Sequence, residues 1–198
     1  MTPPRTRALL TVLLAVLPMA LLASCGSPQS APAKDTTRQE ASVNTKVAEL
    51  MQRPDIEHAA TAYEEMGAKV RERLTTELGR TWEQRDKAGA SLCGSDYPDL
   101  NADGEVRGLA LWSSPGNLPD AQWDRAVAIV GEIASGYGFT AAPEVVANRP
   151  SEHDVVFHKP DDAKINFSTG RNTSLMVTTG CHLTAKAHQR VTSTTPTT

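Results

Sequence analysis

Hydrophobic residues along this chain fall into three patterns, and each predicts a different kind of element. The first is a continuous run. Ala8 to Ala23 carries no charge, is interrupted only by Pro18, and follows Arg5 and Arg7. As a helix it would span roughly 24 Å, short of the ~30 Å hydrocarbon core of a bilayer. A short apolar run behind positive charge reads as an export signal rather than a membrane span. The second pattern repeats every three or four residues. Ile56, Ala59, Tyr63, Met66, Val70, Leu74 and Leu78 form one stripe, stopped by Gly79, which predicts an amphipathic helix. Pro54 is expected to open this helix from its first turn, with Asp55 and Glu57 favouring the positive end. Glu64, Glu65, Lys69, Arg71, Glu72 and Arg73 occupy the opposite side and read as a solvated face with i,i+4 pairs. A shorter helix carrying Val47, Leu50 and Met51, capped by Asn44, precedes it. A second main helix is expected from Pro119 to Ser135, with Trp123, Ala126, Val127, Val130, Ile133 and Tyr137 as its stripe and Gly136 and Gly138 at its end. Trp123 and Tyr137 are read as core rather than as ligand platforms.

The third pattern is alternation. Val106 to Trp112 is a candidate strand with Val106, Gly108, Ala110 and Trp112 on one face, and Trp82 lies in another short run. Val155 and Phe157 alternate with Val156 and His158. Lys164 to Ser168 and Leu175 to Thr179 flank Thr169-Gly-Arg-Asn-Thr173, a five-residue hairpin connection. Short strands in hairpins beside two main helices predict an α+β fold: a single domain, two main helices packed on one face of an antiparallel sheet.

The ends differ from this middle. Leu22-Ala-Ser-Cys25 closes the apolar run as a lipobox, so residues 1–24 are expected to be a lipoprotein signal peptide and Cys25 the lipidated residue. Two acyl chains on one cysteine give stable anchoring. Residues 25–42 read as the lipidated cysteine and a flexible linker, 43–183 as the domain, and 184–198 as a disordered tail, polar and Thr-rich. Loss of 1–24 removes two of the 20 Lys+Arg and none of the 23 Asp+Glu, leaving a net charge near −5. That balance argues against nucleic acid as a partner. The membrane, through the lipid anchor, and an envelope protein or polymer are the partners expected.

With Cys25 acylated, Cys93 and Cys181 remain. Beyond the membrane, an even pair reads as a disulfide, and a free nucleophilic or metal-binding thiol is the alternative. A loop of that length corresponds to roughly 4–5 kcal/mol in the chain-entropy estimate, an upper figure.

Candidate chemistry is sparse. Asp99, Asn101 and Asp103 match positions 1, 3 and 5 of a calcium loop, with Gly104 at position 6. Position 12, however, is Ala110, and a plain turn explains the same residues. His153, Asp154, His158 and His182 could gather at one sheet end, but His153 and His158 differ by an odd number of positions and face opposite sides. They read as solvated surface histidines. No nucleophile elbow, phosphate-cradling glycine loop or zinc-protease helix is present, so no catalytic residue, resident metal or cofactor is nominated. The lead expectation is a non-enzymatic binding or interaction module at the cell envelope. A carrier of a lipid or small apolar ligand is the alternative, and an envelope-polymer hydrolase the third.

The chain also resembles the LppA-like lipoproteins of mycobacteria and other actinobacteria. The residues that carry the resemblance are Leu22-Ala-Ser-Cys25, Gly79-Arg-Thr-Trp82, Gly89-Ala-Ser-Leu-Cys93, Trp123-Asp-Arg-Ala-Val-Ala-Ile-Val130 through Tyr137-Gly-Phe139, Asn166-Phe-Ser-Thr-Gly170 and Thr179-Gly-Cys-His-Leu183. Asp99 to Glu105 does not belong to that pattern. The resemblance implies an exported protein of unassigned activity, anchored on the outer face of the cytoplasmic membrane, and it supplies no catalytic residues.

Overall fold

The computed structural model describes residues 45–194. Cys25, the linker, Asn44 and the last four residues lie outside that range. The chain forms α1 (helical over 45–50), α2 (Ile56–Leu78), α3 (Asp120–Ser135) and α4 (Ala185–Thr194). Its strands are β1 (Glu83–Gln84), β2 (Gly89–Leu92), β3 (Gly104–Gly108), β4 (Trp112–Pro115), β5 (Glu144–Arg149), β6 (Glu152–His158), β7 (Lys164–Thr169), β8 (Asn172–Thr178) and β9 (His182–Leu183). All nine belong to one sheet whose paired strands run antiparallel, in the order β1-β4-β8-β7-β6-β5, with β3 joining β8, β2 and β9. The expected α+β architecture is the one observed.

The apolar stripe of α2 faces the sheet: Ile56, Ala59, Ala60, Tyr63, Met66, Gly67, Val70 and Leu74 are all buried. Its start differs from expectation. Asp55, not Pro54, is the boundary residue, and its carboxylate accepts the His58 amide at 2.9 Å. Pro54 stays outside because Asp55 supplies the side-chain acceptor that an N-cap needs. Gly79, in the left-handed region at φ 66°, ends the helix as expected. On α3 the buried set is Trp123, Ala126, Ile129, Val130, Gly131 and Ala134, while Val127, Ile133 and Tyr137 pack at its margin.

The main core lies between α2, α3 and the sheet, around Phe157, Ile165 and Phe167, which have no exposed surface. Trp123 stacks between His153 at 4.9 Å and Phe167 at 5.2 Å between ring centres, as a core aromatic. A smaller cluster of Leu50, Leu100, Cys181, Leu183 and Ala187 sits beside the Cys93–Cys181 disulfide. The bridge ties the segment after β2 to the start of β9.

Three expectations need correction. Residues 185–194 do not form a structureless tail. They form α4, with Ala187 buried against β9; a single alanine-sized contact is too small to register as a stripe. The hairpin between β7 and β8 is tighter than five residues, because Thr169 and Thr173 are themselves paired. Val106 to Trp112 is not one strand. β3 and β4 flank a break at 109–111, and that break defines the site described next.

Candidate functional site

β3 and β4 both pair with β8, but not in one register. Gly108 faces Thr178 and Trp112 faces Leu175. Three residues, Leu109, Ala110 and Leu111, thus stand opposite two, Met176 and Val177. One extra residue in one strand is a bulge, which bends the strand and re-aims its side chains. The outer neighbour is interrupted at the same level: β1 pairs with β4 and β2 with β3, leaving residues 85–88 opposite 109–111. Two hydrogen bonds hold the break in place, from Leu109 N–H to the Val177 carbonyl and from Arg85 N–H to the Leu111 carbonyl, each 2.8 Å.

A pocket of about 320 Å³ opens where α2 crosses this break. Leu109, Leu175 and Val177 form apolar walls, and Tyr63, Gly67 and Arg71 face them from α2. Trp112, Ala110, Gln84, Ala88 and Glu64 complete the lining. That volume lies at the lower end for small-molecule sites. A shallower depression of about 350 Å³, bordered by Met176 and Lys87, shares Leu109 with it.

Arg71 is the unusual group. Its guanidinium lies 3.9 Å from the centre of the Trp112 ring. It is half-buried, and among the described residues no carboxylate pairs with it. Burial lowers its pKa from the ordinary arginine value. The neighbouring charges on α2 behave as expected of a solvated face: Lys69 pairs with Glu65 at 2.6 Å and Arg73 with Glu77 at 2.8 Å. Arg71 therefore departs from the face to which the sequence assigned it. The sequence signal that marks it is Gly67, one turn earlier. Glycine inside a helix costs about 1 kcal/mol relative to alanine, and here a Cβ would come 3.2 Å from Arg71 Nη1. The missing side chain leaves the guanidinium its place.

The other candidates are dispersed. His153 is buried rather than solvated: Nδ1 lies 2.8 Å from Asn148 Oδ1 and Nε2 3.1 Å from Asp120 Oδ1. His158 is on the opposite side of β6, as its spacing requires, with Nε2 2.8 Å from Glu144. His182 is fully buried on β9, with Nδ1 2.8 Å from the Pro54 carbonyl. The surface reading thus fails for His153 and His182, because the sheet and α1–α2 junction cover them. Asp154 borders an open depression of about 580 Å³ at the β5–β6 and β7–β8 hairpins, and burial raises its pKa. In the calcium-like segment, Asp103 is held by Arg190 at 2.6 Å and the Asn101 amide donates to the Asp99 carbonyl. Among the described residues no group of three His, Cys, Asp or Glu is placed to hold a metal ion.

This architecture has solved counterparts. The crystal structure of LppA from Mycobacterium tuberculosis superposes with a TM-score of 0.65 at 16% identity, covering 78% of this chain and 94% of the other. A DUF4853-family protein from Actinomyces odontolyticus gives a TM-score of 0.52 at 14% identity, covering 67% and 71%. At these identities the likeness concerns the fold alone, an α+β domain. The family follows from the sequence itself: the model of the LppA family, a lipoprotein confined to pathogenic Mycobacterium, matches residues 30–185, and the chain belongs to that family. No curated protein matches it.

Proposed function

We propose that this lipoprotein is a non-enzymatic binding module, held at the outer face of the cytoplasmic membrane by lipid on Cys25, and that it takes a small envelope component into the pocket beside Arg71. The observation that carries the reading is a half-buried guanidinium with no carboxylate partner among the described residues, placed over the Trp112 ring in a pocket with apolar walls. Burying a charge without a partner is costly, and this one lines a pocket rather than an open surface. Among the described residues no helix is long and apolar enough to cross a membrane.

Two features weigh against the rival readings. A pocket of about 320 Å³ with a polar rim suits one compact ligand better than an acyl-chain lipid. His153 beside Asp120 superficially resembles part of a hydrolase triad. Both of its ring nitrogens are engaged, by Asn148 and Asp120, which leaves none for a nucleophile.

Photocrosslinking in living cells tests the proposal. A photoreactive residue replacing Gln84, on the pocket rim, is expected to yield an adduct that the same residue replacing Lys186, on α4, does not. Equal labelling from both positions, or none, would overturn it. Radiolabelled palmitate tests the anchor separately: label is expected on the wild type and absent from Cys25→Ala.

A further inference from the structure

A guanidinium carries five N–H donors in one plane. In Arg71 one face of that plane is covered by Trp112, and no side-chain or backbone acceptor among the described residues takes its edges. The edge is the part of arginine that recognises a planar two-oxygen acceptor in a bidentate manner. Cation–π attraction to Trp112 compensates part of the lost hydration and leaves the donors open to an incoming acceptor.

The surroundings restrict what such an acceptor belongs to. Leu109, Leu175 and Val177 offer only apolar surface. Glu64 lines the same pocket and has no ion-pair partner among the described residues. It lies seven residues before Arg71, about 10 Å along the helix. One cation and one rim carboxylate give a site with no net charge, which favours a monoanion over a doubly charged phosphate.

Resting on the pocket reading above, we propose that Arg71 anchors the carboxylate of a small, singly charged ligand whose compact apolar body lies against Leu109, Leu175 and Val177. The carboxylate forms paired hydrogen bonds in the guanidinium plane. Gly67 keeps that plane seated on Trp112, and the bulge at 109–111 supplies the space for the apolar body.

Fluorine NMR of the full chain, labelled with 5-fluorotryptophan and reconstituted in phospholipid nanodiscs, tests this. The chain has three tryptophans, and Trp112→Phe assigns the reporter signal. Benzoate, neutral benzamide of nearly the same shape, and inorganic phosphate are the probes. Benzoate is expected to move the Trp112 signal saturably, with benzamide weaker by about tenfold or more, as the loss of a charge-assisted pair implies. Arg71→Gln is expected to reduce benzoate to the level of benzamide. Equal affinity for benzoate and benzamide in the wild type would overturn the carboxylate assignment while leaving the pocket reading in place, and that comparison needs no variant. Phosphate binding as tightly as benzoate would also overturn it. If no probe moves Trp112, the pocket reading falls together with the assignment.

Discussion

The Arg71 guanidinium lies over the Trp112 ring, 3.9 Å from its centre, one helical turn beyond a glycine that leaves it room. Trp112 is placed there because the chain gains one residue between Gly108 and itself relative to β8. The pair depends on a helix glycine and a strand bulge, and each is the less stable local choice. A site that carries such costs has a testable signature: its residues serve binding more than stability.

Arg71→Met should therefore leave unfolding free energy in urea within about 1 kcal/mol of wild type. The lost cation–π contact and the relieved desolvation of the charge are of similar size and opposite sign. A loss above about 3 kcal/mol would make Arg71 a structural residue instead.

Two glycine substitutions should part company. A Cβ on Gly180 would stand 1.7 Å from the Asp161 carbonyl oxygen, a backbone atom that cannot step aside. Gly180→Ala is expected to cost more than about 3 kcal/mol or to prevent folding. Gly67→Ala meets only the mobile end of Arg71, and gains helix propensity of up to about 1 kcal/mol. It should leave the thermal midpoint unchanged or raised, while weakening benzoate binding. Chemical denaturation checks the first statement, and thermal unfolding with the fluorine titration checks the second.

The disulfide joins two segments 88 residues apart. Cys93 also packs with the Leu50, Leu100, Leu183 cluster. Cys93→Ser with Cys181→Ser should lower stability by about 2–5 kcal/mol. Thiol titration of the undenatured wild type should find no free thiol at these positions, and two reactive thiols would contradict the bridge.

His182 makes stability depend on pH. Burial pushes its pKa below the ordinary 6.5, against the smaller opposing effects of the Pro54 carbonyl and Asp161. Such a histidine stays neutral in the folded state while the unfolded chain takes up a proton. Its contribution is fully present above about pH 6.5 and is lost as pH falls below that value toward the folded pKa, by at most about 1.4 kcal/mol per pH unit. Urea midpoints at pH 7.5 and 5.5 should fall further apart in wild type than in His182→Gln. Equal pH slopes would contradict this.

The helices were legible because burial imposes a period of three to four, and α2 obeys it from Ile56 to Leu74. The hairpins from β6 to β8 were legible because Val155, Phe157, Ile165 and Phe167 alternate with residues on the helix-free face. β9 was not, since a two-residue strand has no pattern. The break at 109–111 was hidden because Leu109-Ala-Leu111 continues an apolar run, whereas a bulge is set by pairing with β8. Arg71 was hidden by its company. Among Glu64, Glu65, Lys69, Glu72 and Arg73, charge alone does not separate the residue that turns toward Trp112 from those that face water. Gly67 was the available clue.

Native mass spectrometry of the chain extracted from its own membranes shows whether the pocket beside Arg71 carries a ligand. Comparison with Ala110→Trp, which fills the pocket from the strand break without altering Arg71, supplies the control. An added small-molecule mass is expected on the wild type and is expected to be absent from the variant. A wild type that carries no mass beyond the acylated chain, or an added mass retained in full by Ala110→Trp, would contradict it.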